Sequence, residues 1–174
     1  NELTILDGPI EFEVDQIRKN TLENPMKEIH SKYYNELAQF TSKVRIAENQ
    51  FEKANKTLIT MKNNLKYINQ DREGITKEVY KLLETMESLK KQIGGSNARA
   101  EVGEKDFQTL NSRLYNARGG WRPNSYGPTE LHMESFEIAK LMYDQTYPDV
   151  EKYINEVKRV KNTFIENGGP IIID

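Results

Sequence analysis

Leu37, Phe40, Val44, Ala47, Phe51, Ala54, Leu58, Met61, Leu65 and Ile68 are spaced alternately by three and four residues. A helix of 3.6 residues per turn gathers all of them on one narrow face, whereas a strand would scatter them over both. A seam of that length has to be buried against other helices, so it commits most of the chain to an all-α fold. Asn24 is a good N-cap for it, and Pro25 suits the first helical position, where a missing N–H costs nothing. From Pro25 to about Gln70 the predicted helix is roughly 65 Å long. Asp71 to Gly74 then forms a turn.

Three more apolar series follow. Ile75, Val79, Leu82, Met86, Leu89 and Ile93 form the second, widened by Tyr80 and Leu83; it stops at Gly94-Gly95-Ser96-Asn97. A shorter run from Glu104 places Phe107, Leu110, Leu114 and Ala117 on one face and ends at Gly119-Gly120. The last begins after Thr129, an acceptable N-cap, and carries Phe136, Ala139, Tyr143, Thr146, Val150, Tyr153, Val157, Val160 and Phe164. Pro148 falls inside it. The register survives across that proline, which predicts a kinked helix rather than two helices. Gly168-Gly169-Pro170 ends the series.

Lengths point to topology. The first and last helices are roughly 65 and 58 Å long, and the two middle pieces roughly 30 and 22 Å. Laid end to end, the middle pieces nearly match either long helix. The expectation is an elongated antiparallel three-helix bundle whose middle helix is broken at 94–103. Its pieces are 25–70, 75–94 with 104–118, and 129–167, within a bundle spanning 25–170. An intermolecular coiled coil is the alternative. The flanks of the first seam, with Thr41, Gln50, Asn55, Thr57, Asn64 and Asn69, carry few charges to set a partner, and the other stripes are wide, which favours a self-contained monomeric bundle. Ahead of the helices, Ile10, Phe12 and Val14 alternate with Glu11 and Glu13 after Gly8-Pro9, the pattern of a short N-terminal β-strand. One strand is not stable alone, so 1–24 reads as a strand-like linker from a missing upstream module. Residues 171–174 read as a tail.

A length of 174 residues suits one domain and is short for two. The net charge is −2 and no block of one sign stands out, so nucleic acid and anionic membrane are poor guesses for a partner. No cysteine is present, which removes disulfides and thiolate chemistry. No stretch approaches the roughly 20 apolar residues of a membrane span. Without an initiator methionine or a signal peptide, the chain reads as a processed product or a fragment.

The inventory for catalysis is thin, and the expectation is no catalytic, cofactor or metal site. His30 and His132 each sit near a helix start and read as surface histidines, with no H-E-x-x-H pattern and no G-x-S-x-G elbow nearby. Asn69, Asp71, Glu73 and Gly74 resemble the start of a calcium loop, but its closing glutamate is replaced by Tyr80, so an interhelical turn is expected. Asn55-Lys56-Thr57 matches a glycosylation triplet in mid-helix. Carboxylate pairs lie on solvated helix faces rather than across a cleft. Gly119 to Lys140 holds the sole tryptophan. There Trp121, Arg122 and Tyr126 form a possible partner-contact surface of the composition found at hot spots. The plainer reading is that Trp121 plugs the end of the bundle while the glycines and prolines reverse the chain, leaving Arg122 and Tyr126 at the rim.

"GPIEFEV", "KNTLENP", "LNSRLYNA", "YGPTELHMESFEIA" and "ENGGP" occur in this order. With them the chain resembles, over roughly Gly8 to Pro170, the C-terminal helical region of a family of large secreted Bacteroidetes proteins. Those proteins carry BNR/Asp-box repeats in sortilin-like or sialidase-like β-propellers and are often labelled glycosyl hydrolases. Gly169, Pro170 and Ile171 depart from that pattern, which continues Ala-Pro-Trp. The resemblance implies a periplasmic, outer-membrane-associated or extracellular setting and an upstream propeller as neighbour. It implies no enzyme within these residues. The expected function is a non-catalytic helical accessory or interaction module. The alternatives are a free-standing self-associating coiled-coil protein and a non-catalytic part of a glycoside hydrolase.

Overall fold

The structure, a computed structural model, describes residues 12–13, 27–95, 101, 108–119 and 127–172. Among these the regular structure is all helical: α1 (Lys27–Asn64), α2 (Arg72–Gly94), α3 (Leu110–Ala117) and α4 (Glu130–Glu166), with a 3-10 turn at Leu65–Tyr67. Phe12 and Glu13, which belong to the expected N-terminal strand, have no regular secondary structure, and Phe12 is exposed. The rest of that strand lies outside the described residues, as do Asn24, Pro25 and Phe107.

Each described helix end has a local cause. α1 stops at Asn64, six residues before the predicted Gln70, and tightens into the 3-10 turn. The Arg72 guanidinium donates to the carbonyls of Lys66 and Ile68, satisfying acceptors that the helix leaves open. Ile68, beyond the helix, still reaches the core at 1 % exposure. Asp71 sits at φ 45° and accepts from the Gly74 amide, so it is the N-cap of α2. α3 and α4 each open with a capping box, Thr109 with Ser112 and Thr129 with His132, in which both side chains satisfy amides of the first turn. α4 closes in a Schellman motif: Gly169 N–H donates to Phe164 and Gly168 N–H to Ile165, with Gly168 at φ 93°. α4 passes through Pro148 as one continuous helix. The missing hydrogen bond falls on the exposed side, where water can serve the freed carbonyl.

α4 touches α1, α2 and α3. Its pairings with α1 run in step: Tyr33 and Phe40 with Phe136, Phe40 with Tyr143, Phe51 with Tyr153, and the Asn69 amide with the Asn167 carbonyl. α1 and α4 are therefore parallel. α2 runs against both, since Glu78 near its start pairs with Arg159 near the end of α4. α3 runs in the same sense as α2. Asn111 at its start donates to Glu48, while its end, Ala117, lies beside Tyr33. Gly95 and Asn111 meet around Glu48 and Phe51 of α1, so α3 starts at the level where α2 stops.

The core follows the seams with a few changes. Every named position of the second seam is buried, as are Leu37, Val44, Phe51, Ala54, Leu58, Met61 and Ile68 of the first. Phe40, Ala47 and Leu65 are half-buried against it. Tyr33 extends the first seam by one turn. In α4 the chain buries Tyr147 more deeply than the expected Thr146. Leu83 packs against the core, while Tyr80 stays half exposed. Ile172 is also a core residue, so the segment read as a tail folds back onto the bundle through it.

Candidate functional site

The N-terminal end of α1, the C-terminal end of α3 and the first turn of α4 converge on Tyr33. Its hydroxyl lies 2.9 Å from the carbonyl of Ala117 and 2.8 Å from that of His132, so its one proton is shared between two helix ends. Burial, then the neighbouring Tyr34 and Glu137, push the Tyr33 hydroxyl up to about 12, which keeps it a neutral donor at physiological pH. The ring is held edge-on by Tyr34 and Phe136, with centroids at 5.1 and 5.7 Å. The aromatic row continues along α1 and α4 through Phe40 and Tyr143 to Tyr147, which stacks on Tyr143 at 4.0 Å. Lys140 over Phe136 and Lys43 over Tyr143 cover the row from the solvent side.

Ala117 and His132 bracket the glycine-rich stretch that carries the sequence candidates. Trp121, Arg122 and Tyr126 themselves lie outside the described residues. On one side Gly119 has φ 86°, and on the other Gly127 has φ 111° and is followed by the buried Pro128. Both positions require a conformation that side chains resist, so the glycines are there to turn the chain. Tyr33 holds the two ends of the stretch close together at the bundle end.

A groove opens beside this point along α1, between Tyr34 and Arg45, with Arg118 at the end of α3. The Tyr34 side chain borders it, and its hydroxyl is buried with no hydrogen-bond partner among the described residues. A second groove, of about 560 Å³, separates α2 from α4. Leu82, Leu89, Tyr153 and Val160 line it, and Arg159 bridges its rim to Glu78 and Glu156 at 2.9 and 3.0 Å.

The remaining sequence candidates take structural places. His132 caps α4 through Nδ1, which accepts from the Thr129 amide. His30 packs on Tyr34 at 4.7 Å. Both histidines are half-buried rather than on the open surface. Asp71 of the calcium-like loop is engaged with Gly74, and the segment is an interhelical turn. Asn55 of the glycosylation triplet is 1 % exposed: its amide donates to Glu52 and its carbonyl accepts from the Tyr153 hydroxyl at 2.9 Å. An acceptor asparagine must be reachable, so the folded chain cannot be modified there. Burial, and after it Glu52, raise the Tyr153 pKa; burial, and after it Glu48 and Tyr143, raise that of Tyr147. Both hydroxyls stay protonated at neutral pH; that of Tyr153 donates to Asn55, while that of Tyr147 has no hydrogen-bond partner among the described residues.

Sequence reasoning missed Tyr33 and its clamp. The available signal was its place four residues before Leu37, in phase with the seam. The Arg45–Arg118 pairing had no sequence signal, because it joins two helices far apart in the chain. No helix of the described residues is long and apolar enough to cross a membrane. No family model matches this chain, and no curated protein or solved structure does either.

Proposed function

We propose that the chain is a non-catalytic helical accessory or interaction module of a larger secreted β-propeller protein, in the cell envelope or outside it. Any catalysis of the parent protein would belong to another domain. The module is an antiparallel three-helix bundle in which α2 and α3 are the two parts of a broken middle helix. The shared direction of α2 and α3, and the meeting of Gly95 with Asn111, support that architecture. The observation that carries the functional reading is the Tyr33 clamp, which fixes both ends of the Trp121 stretch at one end of the molecule. In this reading Trp121 caps the bundle, and Arg122 and Tyr126 stand at its rim as contacts for the upstream propeller.

Tryptophan emission tests it, because the chain has a single tryptophan. A capping Trp121 emits in the blue, resists iodide, and its replacement by alanine costs ~3–5 kcal/mol. Arg122→Ala with Tyr126→Ala should leave stability within ~0.5 kcal/mol yet weaken binding to the polypeptide encoded upstream of Asn1 by about tenfold or more. Red, well-quenched emission with unchanged stability would make Trp121 itself the contact. A self-associating structural protein is the second reading, favoured by Leu131 and Leu141, which are 61 % and 62 % exposed on α4. Sedimentation at low concentration separates the two, as the module stays monomeric and the second reading requires a dimer or larger.

A further inference from the structure

The groove beside the Tyr33 clamp measures about 340 Å³. Leu37 forms its floor, with Tyr34, Thr41, Ser42 and Arg45 along α1 and Arg118 at the end of α3. No lining residue is acidic, in a chain with 27 acidic and 25 basic residues. Neither guanidinium forms an ion pair among the described residues, in contrast to Arg159, which holds two carboxylates. The helical neighbours of Arg45 toward the groove are the hydroxyls of Thr41 and Ser42. Glu48, one turn further on, is turned to Asn111. A cation at the C-terminus of α3 complements that helix's dipole, which accounts for Arg118 alone. It does not account for Arg45, well inside α1.

We propose that this groove docks an acidic peptide segment of a partner protein. Arg45 and Arg118 hold carboxylates, which fit the planar guanidinium fork. Leu37 receives an apolar side chain between the acids. From Tyr34 to Arg45 the groove follows α1 for about 16 Å, the span of about five extended residues. The proposal rests on the interaction-module reading and adds the chemistry of the partner.

The test is fluorescence anisotropy of the full chain with a labelled peptide of alternating glutamate and leucine, and with its glutamine counterpart. The glutamate peptide should bind at least about tenfold more tightly, and more weakly as salt rises, as expected for charge-assisted contacts. Arg45→Gln with Arg118→Gln should erase that preference without moving the melting temperature. Trp121→Ala, read where circular dichroism shows it folded, should leave the affinity of the peptide unchanged. Equal binding of both peptides, or binding that survives the double substitution, overturns the proposal. So does a peptide that binds only once Glu11, Glu13 and Asp15 are neutralised, because the groove is then filled by the chain's own leading segment. Loss of binding in Trp121→Ala would move the site to the loop. A failed groove with intact Arg122 and Tyr126 effects refutes this inference and leaves the module reading standing.

Discussion

The hydrogen bond between Tyr153 and Asn55 joins the two parallel helices near the middle of the core. Both residues are almost fully buried, at 2 % and 1 % exposure, and the O–H···O distance is 2.9 Å. Tyr153→Phe keeps the ring, which packs on Phe51 at 5.3 Å, and removes the one donor that reaches the Asn55 carbonyl from α4. The acceptor is then buried and unpaired, which costs ~1–3 kcal/mol. For a chain of this length that lowers the melting temperature by roughly 2–12 °C. Asn55→Leu alone strands the tyrosine hydroxyl instead and should cost a similar amount. The double substitution replaces both polar partners by apolar groups of similar size, so it should cost no more than the worse single one. Urea denaturation followed by circular dichroism measures all three. A loss below ~0.5 kcal/mol for Tyr153→Phe, or a double variant as unstable as the sum of the singles, would refute the reasoning.

Phe51 is 3 % exposed, so Phe51→Ala should cost ~3–5 kcal/mol in the same assay, whereas Gln50→Ala, on the exposed face, should stay within ~0.5 kcal/mol. Gly168→Ala should lose ~1–2 kcal/mol, because φ is +93° and a Cβ would stand 2.7 Å from Asn69 Nδ2; Gly94→Ala, with open space around it, should not destabilise. Stability should stay level up to about pH 10 and fall above it. The sign follows from Tyr33, which keeps its proton to about 12 when folded and loses it nearer 10 when unfolded, so deprotonation favours unfolding. Tyr33→Phe should flatten part of that fall, and a stability that climbs through pH 10–11 would contradict the burial of these hydroxyls.

The seams were legible because apolar spacing reports directly on which face of a helix is covered. That logic placed Ile75 through Ile93 and most of Leu37 through Ile68 correctly. It failed where backbone hydrogen bonding, not hydrophobicity, decides. Ile68 is in phase with the seam and buried, yet α1 ends at Asn64 because the Arg72 and Asn69 contacts favour a tightened turn. It also failed where a polar side chain finds its partner across the core. Asn55 sits one residue from the seam and reads as a solvated flank, and Tyr153 on another helix makes its burial tolerable. In α4, strict alternation selects Thr146, but a straight helix drifts about 20° per heptad, and the face meeting α1 there also takes in Tyr147. The Trp121 stretch is a different matter, since its residues lie outside the described part of the chain.

Several residues that carry chemistry in other settings have structural partners here. His132 caps a helix, Asp71 starts one, Asn55 and Tyr153 satisfy each other, and Tyr33 ties two helix ends together. A side chain already committed to holding the fold is a poor candidate for contacting a partner, because recruiting it would break what it holds. Other groups keep unused capacity. Among the described residues, Arg45 and Arg118 carry charge without a carboxylate at ion-pair distance. An exposed guanidinium alone costs little, since water serves it. The gain on docking is therefore the charge-assisted contact itself, made beside an apolar floor. Tyr34→Phe should leave the free chain as stable or slightly more so, because it removes a buried hydroxyl with no partner among the described residues, and should leave the affinity of the acidic peptide unchanged. A clear loss of stability in the free chain would mean that Tyr34 already has its partner within the fold.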